Sequence, residues 1–301
     1  MILCIGEILL DVTSNQKDYV LLSESHPGGA PFNVAANIAI EGGNASFFGK
    51  VGADSYGSFL KQCAERLPLK ECNILVDPFR PTSVALVSLI EGERHFKFLR
   101  HDSADYLREE DFPDQSFIDS YNIVHLGGLC IDDPSSHMFL LELMRRIRLM
   151  GKLVSFDVNY REDVSGDYIR SRALYEPLLK EVDILKISLD ELPMLRCENE
   201  EDFIKRYCKG KAIVFLTKGK DGSDAIYNGR RFHADSENIS PVDTTGAGDA
   251  FLAKALSLLD FEDDIYSLSD EKIMSILEAA NNAGREAILH RGAIDFSSVM
   301  K

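Results

Sequence analysis

The stretch Val242-Asp-Thr-Thr-Gly-Ala-Gly-Asp249, followed by the helically spaced apolar run Ala250–Leu259, decides the reading of this chain. Three small residues, Gly246, Ala247 and Gly248, let the backbone approach a ligand closely. They also leave the first amides of the following helix unpaired and directed outward. Those amides, with the helix dipole behind them, suit the negative charge that builds on a transferring phosphoryl group. Asp249 falls in that first turn, where an ionised carboxylate can take the proton of an attacking hydroxyl. The same position should hold its pKa down and make it a weak base. Phosphoryl transfer tolerates a weak base, because positioning and electrostatics supply most of the rate. Taken alone, the pattern reads equally as a capping aspartate behind a flexible turn.

Outward from this stretch, short β-rich runs alternate with longer helical ones, the pattern of a mostly parallel sheet covered by helices. Strands are expected at Met1–Gly6, Ala45–Gly49, Asn122–Leu126, Leu153–Asp157, Ile184–Ile187 and Ala212–Thr217. Several are near-continuous apolar runs, as in strands buried on both faces. Helices are expected over Phe32–Ile40, Ser55–Arg66, Ser135–Met150, Asp190–Leu195, Gly248–Leu259 and Asp270–Leu289. One region breaks the rhythm: Thr82–Ile90 and Glu93–Leu99, joined around Gly92, read as a β-hairpin. With Val12–Leu22 it would form a small sheet projecting from the main one. The expectation is an α/β fold of one domain over residues 1–301, with a lid inserted from about 12–27 and 80–105.

Composition narrows the partners. The 301 residues carry 33 Lys plus Arg against 49 Asp plus Glu, a formal charge of −16. Such a surface repels nucleic-acid phosphates and anionic lipid, so neither is an expected partner. It does not exclude ATP, whose phosphates can be met locally by amides, a few cations and Mg²⁺. The six cysteines are scattered without a C-x-x-C pair, which fits a reducing cytosol better than a disulfide or zinc scaffold. No apolar run approaches the roughly 20 residues of a membrane span, and the N-terminus lacks the basic start of a signal peptide. The chain reads as cytoplasmic.

At this point two long motifs stand in order. The segment DTTGAGDAF, residues 243–251, resembles the C-terminal signature of the ribokinase-like carbohydrate kinases, and GGAPFNVAANIAIEGG, residues 28–43, resembles that family's N-terminal one. The landmarks between them, RPTSVALVSL (80–89), FKFLR (96–100), SAD (103–105) and FDVNYR (156–161), look closest to the fructokinase branch. The resemblance covers nearly the whole chain. It implies a three-layer αβα fold with a mostly parallel central sheet and a small β-sheet lid.

The resemblance also implies roles. Asp249 would be the general base and Gly246, Ala247 and Gly248 the anion hole. Asp11 and Asn33 would hydrogen-bond sugar hydroxyls, with Gly28 and Gly29 giving backbone access, and Arg100, Asn159 and Arg161 would meet sugar or phosphate oxygens. Lys186, Ser188 and Glu191 match the family's N-x-x-E region, with Ser188 in place of Asn and Glu191 organising Mg²⁺ through water. Thr217, Lys218, Gly219 and Gly222 match its nucleotide loop, and Asn281 its adenine-site helix. Asp243 and Thr245 occupy positions beside which some relatives hold a monovalent cation. The segment AIDFSS after Gly292 departs from the usual proline-containing ending, so potassium dependence stays open. Each of these residues also has a plain alternative, as turn, cap or surface ion pair.

The sequence GNASFFGKV, residues 43–51, has the wrong glycine spacing for a P-loop and no Ser/Thr after the lysine. No dinucleotide fingerprint or metal-binding histidine pair is present. The reading is therefore an ATP-dependent kinase of a sugar, fructose first, with 2-keto-3-deoxygluconate, ribose or a nucleoside as other acceptors. A catalytically silent binding protein is the remaining class. The small sheet, if exposed, would also suit pairing of two copies into a homodimer.

Overall fold

The run Ile2–Ile5 (β1) has all four side chains buried, so it belongs inside a sheet covered on both faces. In the computed structural model, which describes residues 1–14, 24–90, 93–161, 168–237 and 239–296, this strand stands within a nine-stranded sheet. The chain then leaves that sheet: Leu9–Ser14 (β2) and Glu24–Gly28 (β3) belong to a second, smaller one. It returns through the helix Ala30–Ile40 (α1) to Ala45–Gly52 (β4) and, past Ser55–Glu65 (α2), to Cys72–Asp77 (β5). Val84–Ile90 (β6) and Glu93–Leu99 (β7) complete the small sheet. Ile123–Gly127 (β8), Pro134–Leu149 (α3), Leu153–Asp157 (β9), Tyr168–Leu179 (α4), Ile184–Ser188 (β10) and Ile213–Thr217 (β11) extend the large one. An antiparallel pair, Ser223–Tyr227 (β12) and Arg230–Ala234 (β13), forms its edge, and the helices Ala247–Leu259 (α5) and Asp270–Ala287 (α6) follow.

The strand order is β13-β12-β11-β10-β9-β8-β1-β4-β5, parallel from β11 to β5. After β1 the chain builds towards β5 on one side, and from β8 onward towards β13 on the other. The crevice above the C-terminal strand ends at such a reversal is where open α/β sheets bind ligands. One face of the sheet carries Phe47 and Phe215 against Phe32 of α1, Phe251 of α5 and Leu277 of α6. The other carries Val124, Phe156 and Leu185 against Leu143 of α3 and Tyr175 of α4. The expected three layers are thus present, as is the mostly parallel sheet.

The small sheet has the order β3-β2-β6-β7, with β2 parallel to β6 and an antiparallel hairpin on either side. Its first strand begins at Leu9, earlier than the expected Val12, because Leu9 still packs on Ala85 of β6 and Leu10 on the main core. Residues 15–23 of the expected segment, and the turn around Gly92, lie outside the described residues. The expected helix Asp190–Leu195 is a 3₁₀ helix, Leu189–Leu195, with Pro193 inside it and a Ser188–Glu191 capping box at its start. Strands β5, β12 and β13 and helix α4 were not anticipated.

Candidate active site

Helix α5 starts where the sequence places it. Gly246 caps it with φ 79°, and a Cβ there would stand 2.5 Å from the Cβ of Ala293, so both the backbone angle and the space require glycine. The first turn of α5 then borders a cleft of about 420 Å³ over the strand ends, lined there by Thr244, Thr245, Gly246, Gly248 and Asp249. Asp243 sits behind this turn. Its Oδ1 accepts from the Thr245 amide at 2.7 Å and its Oδ2 from the Gly292 amide at 2.9 Å, tying the turn to the C-terminal loop.

Asn33 enters the cleft from the second turn of α1, and its Nδ2 donates to Oδ2 of Asp249 at 2.8 Å. Asn33 is buried, and its Oδ1 has no partner among the described residues. Burial pushes the Asp249 carboxyl up to about 6, against the lowering influence of Lys186, the Asn33 hydrogen bond and Arg161, while Asp157 raises it further. The sequence expectation of a depressed carboxyl is therefore overturned: at this cleft floor, loss of solvent outweighs the helix terminus.

Behind Asp249 lies a buried charged set. Lys186 Nζ donates to both oxygens of Asp157, at 2.8 and 3.1 Å. Asp157 and the neighbouring Glu191 hold Lys186 above the usual lysine value in spite of its burial. The Glu191 carboxylate accepts from the amides of Ser188 at 2.6 Å and Tyr160 at 2.5 Å, and burial raises its pKa. These contacts fix the ends of β9 and β10, where Asn159 takes φ 40° at the cleft edge. Among the described residues no group of three His, Cys, Asp or Glu side chains stands ready to cage a metal.

Of the residues singled out in the sequence, Asp11, Gly29, Asn159, Arg161, Lys186, Ser188, Glu191, Thr217 and Gly219 also border the cleft. Gly28 stands behind Asp11, so close that a Cβ on it would come within 2.1 Å of Asp11 Oδ2. The remaining ones are committed elsewhere. Arg100 is buried and donates to Asp105 at 2.8 Å and to the Leu129 carbonyl at 2.9 Å, which makes it a support beneath the small sheet and not a cleft residue. Lys218 pairs with Asp224 at 2.8 Å and Glu200 at 3.0 Å. Gly222, at φ 84°, packs on the Ala234 carbonyl. Asn281 accepts from Ser223 Oγ at 2.7 Å and donates to the Ala234 carbonyl at 2.9 Å, so α6 is tied to β12 and β13 through it.

Three apolar residues that carried no expectation, Leu9, Phe98 and Leu129, also border the cleft. The alternation in FKFLR contained the signal, since Phe98 turns inward while its neighbour Leu99 is half exposed. Glu7, fully buried below Gly29, accepts from the Ala30 amide at 3.2 Å and so steadies the start of α1.

The family model of the pfkB family carbohydrate kinases matches residues 1–299. Probable fructokinase-7 of Arabidopsis thaliana is 30% identical, over 98% of this chain and 88% of its own length. The crystal structure of fructokinase with bound ATP from Xylella fastidiosa superposes with a TM-score of 0.87 at 28% identity, covering 99% of this chain and 94% of that one. A fructokinase double mutant from Vibrio cholerae O395, in fructose, ADP and potassium ion bound form, gives a TM-score of 0.87 at 26% identity, covering 98% and 94%.

Proposed function

Because this chain belongs to the pfkB family of carbohydrate kinases, we propose that it transfers the γ-phosphoryl group of ATP to the 6-hydroxyl of fructose. The observation that carries this reading is the meeting of Asn33 and Asp249 in one cleft. A hydroxyl-binding amide and a carboxylate with a raised pKa thereby share the floor of a site bordered by helix-terminal amides.

In this reading the sugar lies between Asp11 of the small sheet and Asn33 of α1, with backbone access at Gly28 and Gly29. A hydroxyl donating to Oδ1 of Asn33, which accepts from none of the described residues, supplies the bond it lacks there. Phe98 and Leu9 roof the sugar and exclude water, which limits hydrolysis of ATP. Asp249 accepts the 6-hydroxyl proton as the new O–P bond forms and the bond to the leaving ADP oxygen breaks. The amides of Gly246, Ala247 and Gly248 stabilise the phosphoryl oxygens. Lys186, Ser188, Thr217 and Gly219 border the phosphate side, while Lys218, Gly222 and Asn281 shape the nucleotide loop behind it.

Glu191, whose two oxygens accept from the Ser188 and Tyr160 amides, would hold Mg²⁺ through bound water. The ion's contribution is to neutralise phosphate charge. Asp243 and Thr245 would lie beside a monovalent cation, K⁺ being the candidate. The commitment of Arg100 to Asp105 favours a neutral sugar over a sugar acid, whose carboxylate calls for a cation of its own.

The test is ADP release with Mg-ATP against fructose, ribose, 2-keto-3-deoxygluconate and adenosine, run beside Asp249→Ala. Turnover with fructose that disappears in the variant supports the whole reading. Preference for another acceptor keeps the chemistry and replaces the substrate. ATP binding without turnover on any acceptor sinks the kinase reading.

A further inference from the structure

At the opposite ends of the strands that carry the cleft, the chain builds a second concavity. Leu179 ends α4, Val182 precedes β10 and Lys211 precedes β11. This cavity thus lies roughly 15–20 Å from Ser188 and Thr217 along the strands. Its volume is about 500 Å³, a size suited to a small metabolite. Among the described residues six cations face it, Arg148, Arg172, Lys180, Arg206, Lys209 and Lys211, against one carboxylate, Glu176. On a chain of net charge −16 this concentration is a local reversal of sign, and a concave surface focuses such a field.

The contacts within the protein answer only part of that charge. Arg172 pairs with Glu176 at 2.8 Å, Arg206 with Asp202 at 3.0 Å and Arg148 with Glu181 at 3.3 Å. Lys180 and Lys209 are exposed and, among the described residues, pair with no carboxylate. Lys211 points its ammonium inward, where it donates to the carbonyls of Leu179 and Val182 and, among the described residues, reaches no acid at ion-pair distance. An ammonium held away from water without a paired carboxylate is costly, and burial brings Lys211 down to about 8, although Cys208, Asp183 and Glu181 act in the opposite direction from a distance.

We propose that this cavity is a binding site for a phosphate monoester of sugar size, separate from the transfer cleft. Lys211 and the arginines meet the dianionic phosphate, which guanidinium groups grip with paired N–H donors. Leu179 and Val182 supply an apolar floor for the organic part, and Lys180 and Lys209 steer the anion inward from the rim.

Glucose 6-phosphate is the probe, titrated calorimetrically into the full chain with a saturating non-hydrolysable ATP analogue present and glucose as the uncharged control. Saturable binding of the phosphate ester alone is expected, falling with added salt. The exposed pair Lys180→Glu/Lys209→Glu should weaken it by at least about tenfold, with kcat and KM for phosphoryl transfer unchanged. Binding that is undiminished in this double variant belongs to the transfer cleft and overturns the proposal. So does the absence of binding at millimolar probe, or equal binding of glucose.

Discussion

The side-chain amide of Asn33 donates to Asp249 across 2.8 Å, joining α1, which follows β3, to the first turn of α5. Asp249 titrates near 6 because burial raises it, and the Asn33 bond acts in the opposite direction. A base must be ionised to work, so kcat/KM should be full above this value and fall about tenfold per pH unit below it. Asn33→Ala removes a lowering influence and should move that acid limb to higher pH. Asp249→Ala should cost on the order of 10²–10⁴ in turnover. Rate profiles from acid to neutral pH check all three; an acid limb unmoved in Asn33→Ala would detach the amide from the titration.

Gly28→Ala puts a methyl group where Asp11 now lies, 2.1 Å from its Oδ2. Asp11 must shift, and a displacement of about 1 Å at a positioning residue can cost roughly 10²-fold in efficiency. The loss should fall on the sugar, through a higher KM for it, with KM for ATP little changed. Steady-state kinetics varying each substrate in turn decides, and equal changes for both substrates would contradict the placement of Asp11.

Arg100→Ala should act on stability before activity. The change strands Asp105, which is 1% exposed and otherwise accepts from Ser83 Oγ at 2.6 Å. Breaking one partner of a buried pair costs about 3–5 kcal/mol, whereas replacing both with apolar residues costs far less. Urea unfolding of Arg100→Ala beside Arg100→Leu/Asp105→Leu reads the difference. A stable Arg100→Ala protein with a raised sugar KM would restore Arg100 to the sugar site.

Legibility followed the range of the interactions. The glycine turn before Asp249 and the apolar runs of β1, β8 and β10 are local signals, and the sequence shows them directly. In sequence an arginine beside the FKFLR landmark looks the same whether it faces a ligand or, as Arg100 does, Asp105. Asn281 finds its partners in Ser223 and Ala234, far away in the chain, and no spacing announces them. The raised carboxyl of Asp249 is likewise a property of enclosure. The local signal Asn228-Gly229 takes φ 48° and 72° in the two-residue hairpin turn that joins β12 to β13.

Glu7 supplies a stability prediction with a definite sign. Burial holds its carboxyl at about 7 in the folded chain, above its ordinary value. The folded state therefore binds this proton more tightly, so the contribution is fully present below the unfolded pKa and is lost as pH rises through about 7. Glu7→Gln should gain on the wild type by up to about 3 kcal/mol between roughly pH 5 and pH 8. Denaturant midpoints at the two pH values measure it; a difference that does not vary with pH would falsify the assignment.

The packing of α1 beside α5 and α6 has a further consequence for biosynthesis. Phe32 and Ile38 precede Phe251, Leu256, Ile273 and Leu277, which share their cluster, by more than two hundred residues. A nascent chain leaving the ribosome therefore carries one uncovered face of its central strands through most of translation. Exposed apolar surface of this kind invites aggregation. The yield of folded protein should depend on how well chaperones shield that face until the two closing helices emerge.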